Sequence, residues 1–279
     1  MRGVPRLIDV KHLGHDRVIG AWLVDGFLVD PGPESCVNTL LSELGDEKPR
    51  GLLLTHIHFD HAGASGRVLE RWPDLPVYVH ERGAPHMADP SRLVASARQI
   101  WGDDFDRLWG EVVPVPEENI HALSGGETVE GFDVEYVPGH AKHHVAYFHR
   151  DTGHAYVGDM AGVRIPPSDL TRAPTPPPDI DVDAWFESLE RIEARRPSAV
   201  VLTHFGRVDD VAGQLEATRD ALRAQADLAK DASEEVFVAW LERLAAAEGD
   251  PETAQRLTQA ASPDTLYAGL RRYWTKVAA

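Results

Sequence analysis

The alternation of apolar and polar positions divides the first two hundred residues into short strands and helices. Residues 18–30 (VIGAWLVDGFLVD) read as two strands around a turn at Asp25-Gly26, and Pro31-Gly32-Pro33 stops the second. Residues 34–45 suit a helix. Gly51-Leu52-Leu53-Leu54-Thr55 is a short apolar run of the kind a buried strand shows. A helix is expected around 63–72 and a strand at Val77-Tyr78-Val79. Residues 88–111 read as helical, with Ser91 as N-cap. They carry Trp101, Phe105 and Trp109 at spacings of four, which is either a stripe packed on the core or an aromatic lid over a pocket. Residues 132–137, 145–149 and 154–158 read as strands. The proline-rich stretch 162–182 reads as a long loop, and loops of that length often cover a site. Asp183 to Arg196 is an amphipathic helix with Trp185, Phe186, Leu189 and Ile192 on one face, ended by Pro197. Ala199–Thr203 is the last clear strand. Strands alternating with helices argue for a layered α/β fold.

From about residue 211 the texture changes to Ala, Glu, Arg and Leu. Three helices are expected, near 211–230, 233–247 and 263–277, with Ser233 and Ser262 as N-caps and Pro263 at a favoured first position. The expected division is therefore a catalytic domain over 1–210 and a helical C-terminal extension over 211–279. Packing on the core, a homodimer contact, and narrowing of a pocket are the three roles open to that extension.

Composition narrows the function classes. The 279 residues carry a formal net charge of −17, which repels polyanions and anionic lipid; neither nucleic acid nor a membrane surface is an expected partner. Cys36 is the single cysteine, so no intrachain disulfide forms, and it reads as a small buried hydrophobe. Met1-Arg2-Gly3-Val4-Pro5-Arg6 leads into no apolar signal region, and no run of about 18 apolar residues occurs. The expected address is the cytoplasm, and the expected partner a small-molecule substrate.

Chemistry concentrates where strands end. Leu52-Leu53-Leu54-Thr55 delivers His56, Val134–Gly139 delivers His140, Ala155–Gly158 delivers Asp159, and Val200–Thr203 delivers His204. In layered α/β folds such ends are where loops converge. The run His56-Ile57-His58-Phe59-Asp60-His61 adds imidazoles and a carboxylate around a corner, enough for two metals a few ångströms apart. Asp159 is placed to bridge them, and water shared by two such cations is hydroxide near neutral pH. With 14 histidines in the chain, this order of three His and one Asp arises by accident in roughly one such chain in several hundred. His12, His15, His80, His86, His121, His149 and His154 show no ligand spacing. His143 and His144 follow His140 closely and read as groups that orient a ligand. Tyr147 and Tyr156 are strand residues, read mainly as core and otherwise as donors to substrate.

These residues resemble the metallo-β-lactamase superfamily, over roughly residues 10–210. The resemblance implies a four-layer αβ/βα sandwich with a helical C-terminal appendage and the metals at one edge between two sheets. It assigns His56, His58 and His140 to a first metal, Asp60, His61 and His204 to a second, and Asp159 to the bridge. Pro138-Gly139-His140 and Leu28-Val29-Asp30-Pro31-Gly32 match family turns. The cysteine of the true zinc β-lactamases is missing, and Asp159 follows the pattern of glyoxalase II and the quorum-quenching lactonases. His58 stands where flavo-diiron reductases have Glu. The basic glutathione-binding residues of glyoxalase II have no match.

The resemblance thus implies a hydrolase of esters, lactones or thioesters. It would use two divalent ions, zinc by default and iron or manganese otherwise, with Asp60 as the catalytic group. The rivals are a phosphodiesterase or phosphotriesterase on the same centre, and a mononuclear iron oxygenase. His144, Tyr156, Trp101 and Phe105 are the candidate orienting or pocket residues.

Overall fold

The computed structural model describes residues 4–278; Met1–Gly3, where the segment expected to lack a leader begins, and Ala279 lie outside the described residues. The first half of the chain supplies a six-stranded sheet. Its strands β1 (Arg6–Asp9), β2 (Gly20–Val24), β3 (Phe27–Val29), β4 (Gly51–Leu53), β5 (Val77–His80) and β6 (Ile120–Leu123) lie side by side in chain order. β1 to β3 form an antiparallel meander, and β3 to β6 are parallel. Parallel neighbours need crossovers. α1 (Val37–Leu44) makes the first, α2 (Phe59–Ala62) and α3 (Ser65–Arg71) the second, and α4 (Ala84–Ala88), α5 (Ser91–Trp101) and α6 (Phe105–Trp109) the third.

The second half builds the facing sheet from β7 (Thr128–Val129), β8 (Phe132–Tyr136), β9 (Val145–His149) and β10 (His154–Gly158). A small antiparallel ribbon, β11 (Val163–Arg164) with β12 (Thr171–Arg172), and helix α7 (Val182–Ala194) precede β13 (Ala199–Leu202) and β14 (Gly206–Val208). The order across this sheet is β14-β13-β10-β9-β8-β7. Helices α8 (Val211–Asp231), α9 (Glu234–Ala247), α10 (Pro251–Ala260) and α11 (Pro263–Val277) complete the chain.

Period-two alternation assigns each strand face to a layer. In β3, Phe27 and Val29 enter the core between the sheets while Leu28 enters the outer core beneath α1 and α3. In β10 and β13, Tyr156 and Val201 point between the sheets; Ala155, Val157, Val200 and Leu202 point outward to Trp185, Leu189 and Ile192 of α7. Both faces of both sheets are thus covered, which gives the αβ/βα layering. Leu215, Leu222, Phe237, Leu241, Leu257 and Leu270 of the C-terminal helices are buried in that same outer core, so the extension packs against α7 and the β11–β12 ribbon on the outer side of the second sheet. Among the described residues, no helix is long and apolar enough to cross a membrane.

Several boundaries differ from those expected. The helix over 88–111 is interrupted at Gly102, whose φ of 53° leaves the right-handed region. It starts at Ser91 with Pro90 at the N-cap, and Asp89 Oδ1 accepts from the Ser91 amide, so Ser91 is not the cap. Ser233 and Ser262 occupy N-cap positions, but their hydroxyls make no capping bond. Asp181 and Asp210 do cap, accepting from Ala184 and Gly213. The extension has a fourth helix, α10, signalled by Asp250-Pro251 as cap and first residue. The proline-rich stretch is an ordered strap containing β11 and β12.

Candidate metal centre

β8, β10 and β13 all run the same way, since β9 is antiparallel to both β8 and β10, and β10 is parallel to β13. Their C-terminal ends therefore deliver His140, Asp159 and His204 to one edge. β3 and β4, parallel to each other, end there too and carry Asp30 and Thr55-His56. Backbone bonds join the sheets at this edge: Val145 N–H donates to Thr55 O at 2.8 Å and Gly20 N–H to Thr203 O at 2.9 Å. α2 then turns the corner, so that Asp60 and His61 come back over the same point.

Two ligand groups result. His56 Nε2 and His140 Nε2 lie 3.0 and 2.9 Å from His58 Nδ1. Asp60 Oδ2 lies 3.3 Å from His204 Nε2 and 3.8 Å from His61 Nε2. Asp159 faces both groups: Oδ1 is 3.1 Å from His61 Nε2, and Oδ2 is 3.4 Å from His140 Nε2. The sets His56/His58/His140 and Asp60/His61/His204 each bring their donor atoms within 4.8 Å of one another. All seven residues expected from sequence are thus brought together.

The other ring nitrogens are committed elsewhere, which fixes the tautomers. His140 Nδ1–H donates to Pro174 O and His204 Nδ1–H to Val18 O, each at 2.7 Å. Thr55 Oγ1 donates to Asp30 Oδ2 at 2.7 Å and so accepts from His56 Nδ1–H at 3.1 Å. His61 Nδ1–H donates to Asp30 Oδ2 at 2.9 Å. His56 and His140 thereby present a bare Nε2 lone pair to the centre, and His61 and His204 turn their Nε2 atoms to it, toward Asp159 and Asp60. His58 Nδ1 carries at most one proton and cannot satisfy both Nε2 atoms beside it. His61 Nε2, His204 Nε2 and Asp159 Oδ1 are buried with no hydrogen-bond partner. Such a set of buried, converging lone pairs fits divalent cations.

The electrostatics divide in the same way. Burial and the neighbouring imidazoles hold His56 well below its ordinary pKa, and burial with His140 lowers His58 to about 3. Burial also lowers His140, against the pull of Asp159. For His61 and His204 burial acts the same way but is outweighed, by Asp159, Asp60 and Asp30 at His61 and by Asp159 and Asp60 at His204, so both are raised. Asp60 and Asp159 are held low by His61 and their other imidazole neighbours despite burial.

The remaining candidates fall outside the ligand groups. His144 stacks on His56 with ring centroids 4.5 Å apart, and both its ring nitrogens are buried without a partner. Tyr147 is no substrate donor: its hydroxyl donates to the carbonyls of Leu54 and Tyr78, pinning the ends of β4 and β5. Tyr156 lies in the core between the sheets, edge-on to Trp22 and Phe132, not among the ligand atoms. Phe105 is 1% exposed and edge-on to Phe59, so it is core. Trp101 is half-buried, edge-on to Trp109. Trp109 stacks on Phe59 and on His12, so this aromatic cluster braces the ligand loop from the side. His12 is a satisfied histidine, bonded to Leu108 O and to Gln259. Beside it, a recess of about 600 Å³ is walled by Leu13, His15, Arg107, Glu242 and Gln255.

Asp30 has a role that sequence reading did not assign. It is 1% exposed and accepts from the Thr55 amide, Thr55 Oγ1, His61 Nδ1 and Thr203 Oγ1. One carboxylate thereby orients His61 directly, His56 through Thr55, and the turn before His204 through Thr203. A signal for it was present: Leu-Thr-His occurs at 54–56 and again at 202–204, so the threonines precede ligands in both sheets.

The fold and this donor set define an αβ/βα sandwich built around a metal-binding edge. The profile of the Metallo-beta-lactamase superfamily matches residues 21–204, and the chain belongs to that superfamily. It is 32% identical to "Probable metallo-hydrolase YqgX" of Bacillus subtilis over 136 residues, which are 48% of this chain and 59% of that protein. It is 30% identical to a hydroxyacylglutathione hydrolase of Thermosynechococcus vestitus over 135 residues, 47% and 42% of the two chains. The chain thus spans about half the length of these curated relatives. Among solved structures, the superfamily protein ST1585 from Sulfolobus tokodaii superposes with a TM-score of 0.72, covering 97% of this chain and 99% of that one at 21% identity. TTHA1623 in a di-iron-bound form gives 0.50 at 27% identity, covering 76% and 91%.

Proposed function

We propose that this protein is a metal-dependent hydrolase with a dinuclear centre, cleaving an ester, lactone or thioester. The observation that carries this reading is the two-sided presentation of Asp159, one oxygen toward His140 and the other toward His61. Its relatives named as metallo-hydrolases and hydroxyacylglutathione hydrolases support the reaction class. Divalent cations held there would acidify water and polarise a carbonyl. The chain's own residues do the rest. His56, His58 and His140 offer neutral lone pairs at pH 7. Asp60 is the more exposed of the two ligand carboxylates, its side chain 21% exposed against 4% for Asp159. This exposure supports reading Asp60 as the group facing substrate, where its carboxylate would hold the nucleophile in line and pass its proton to the leaving group. Zinc is the default metal; the di-iron form of TTHA1623 makes iron the first alternative to load.

The test is reconstitution of chelator-treated protein with zinc, iron or manganese. Metal content and turnover of p-nitrophenyl acetate, a lactone and a thioester are compared with turnover of bis-p-nitrophenyl phosphate. Two ions per chain and carbonyl-ester turnover are expected. Preferential phosphodiester turnover would move the reading to a phosphodiesterase. One iron per chain with oxygen uptake on adding a thiol would replace it with an oxygenase.

A further inference from the structure

The C-terminal helices grip the stretch of chain that accepts the ring hydrogen bond of His140. Pro174 O accepts a hydrogen bond from His140 Nδ1–H at 2.7 Å. The residues on either side of Pro174 are tied to the extension. Arg172, 1% exposed, donates to Leu241 O of α9 and to Ala261 O at the end of α10. Ala173 and Gln225 of α8 exchange a reciprocal pair: the Ala173 amide donates to Gln225 Oε1 at 3.0 Å, and Gln225 Nε2 donates to Ala173 O at 2.7 Å. Thr175 Oγ1 donates to Leu266 O of α11 at 3.0 Å. Gly269 of α11 lies so close that a Cβ there would stand 1.9 Å from Thr175 O and 2.8 Å from Pro176 C.

Beyond Arg172 the strap leaves its β11–β12 ribbon. Pro174, Pro176, Pro177 and Pro178 have no amide hydrogen to give a sheet or helix, so the carbonyl of residue 174 stands where its neighbours are held. α8 also reaches the turn after Asp159, where Gln214 Nε2 and Thr218 Oγ1 both donate to Ala161 O at 2.8 Å. By contrast, His56 and His61 are oriented by Asp30 from within the first sheet, and His204 by Val18 O.

We infer that the extension is part of the metal centre's machinery: Gln225 and Gly269 are positioning residues that fix the Pro174 carbonyl, and through it the tautomer and direction of His140. The inference rests on the metal-centre reading above and deepens it. Outer groups that orient a metal-bound imidazole are generally worth about 10–100-fold in metal affinity.

Gln225→Leu removes both bonds to Ala173, and Gly269→Ala pushes the strap. Tyr267→Phe is the control: it frees Ala232 O within the same helical layer and removes no hydrogen bond to residues 172–177. The first readout is nitrogen-15 NMR of the histidine rings in metal-free protein. A single Nδ1-protonated form is expected for His140 in the wild type and in Tyr267→Phe, and a mixture of tautomers in Gln225→Leu and Gly269→Ala. The second is competition for Zn²⁺ against a chelator, with affinity about tenfold or more weaker in the two strap variants and unchanged in the control. If Gln225→Leu and Gly269→Ala lose stability as the control does while His140 keeps its tautomer, the inference is overturned. A wild type that binds fewer than two ions would refute the dinuclear reading, and the NMR arm would still decide this one.

Discussion

Replacing Asp30 by Asn tests whether one buried carboxylate organises the centre. In the wild type Oδ1 accepts from the Thr55 amide at 2.8 Å, while Oδ2 accepts from Thr55 Oγ1, His61 Nδ1 and Thr203 Oγ1 at 2.7, 2.9 and 3.1 Å. An amide offers one oxygen and one NH₂. With the NH₂ in the Oδ1 place it meets the Thr55 N–H, which cannot turn. With it in the Oδ2 place the two hydroxyls can rotate, but the His61 Nδ1–H then faces the NH₂ and loses its acceptor. Either way a buried donor is stranded, at about 1–3 kcal/mol, and the surviving bonds lose their charge assistance. The expected loss in metal-free protein is about 2–4 kcal/mol. Asp30→Ala should cost more, because all four donors are stranded and the φ of 48° at residue 30 suits Asp or Asn better than Ala. Urea denaturation of chelator-treated protein measures the first quantity, and metal content after dialysis against a weak chelator measures the effect on loading. The reasoning fails if Asp30→Asn unfolds within about 0.5 kcal/mol of wild type and retains its full metal complement.

Asp159→Asn should reduce bound metal from two ions to one and lower turnover by more than the roughly 10–100-fold typical of outer-shell loss, measured by elemental analysis and steady-state kinetics. Proton release should differ between the two groups. His56, His58 and His140 have lowered pKa values and are already neutral at pH 7, whereas His61 and His204 have raised ones and, without metal, hold a second proton to higher pH than an ordinary imidazole. The second group's affinity should therefore climb as pH rises through the raised values, while the first group's stays flat above about pH 6.5; calorimetry in buffers of differing ionisation enthalpy reads this, and equal proton release for both ions would contradict it. Gly139→Ala should destroy the first group, because residue 139 has a φ of 141° and a Cβ there would stand 2.4 Å from Trp185 Cα; loss of metal or of soluble protein is the expected result.

The parts of this centre that sequence could show are those where one residue type at one spacing has one use. His56, His58, Asp60 and His61 were legible because their order is chemically specific, and His140, Asp159 and His204 because each follows an apolar strand. A layered α/β fold followed from the same strands, since runs such as Leu52-Leu53-Leu54 are apolar on both faces, and the αβ/βα arrangement from the family resemblance. What stayed hidden was held by backbone or by shape. Pro174 and Val18 act through carbonyl oxygens, which every residue has, so their side chains carry no signal. Asp30 was visible as part of a turn, yet its task depends on Thr55 and Thr203 arriving from different sheets. The break at Gly102 was lost to periodicity that ran on across it, and the helix at Pro251–Ala260 fell in the stretch between two expected helices. The extension was hardest to place. Its helices showed amphipathic texture, but the residues that matter most to the metal edge, Gln225 and Gly269, are polar and small, and neither belongs to an apolar stripe. Two helices joined to a ligand's support, one through an amide and the other through a missing side chain, look in sequence like any others. The centre is therefore set by two systems of different legibility: a ligand list written in side chains, and a scaffold of carbonyls and close approaches that only the folded chain displays.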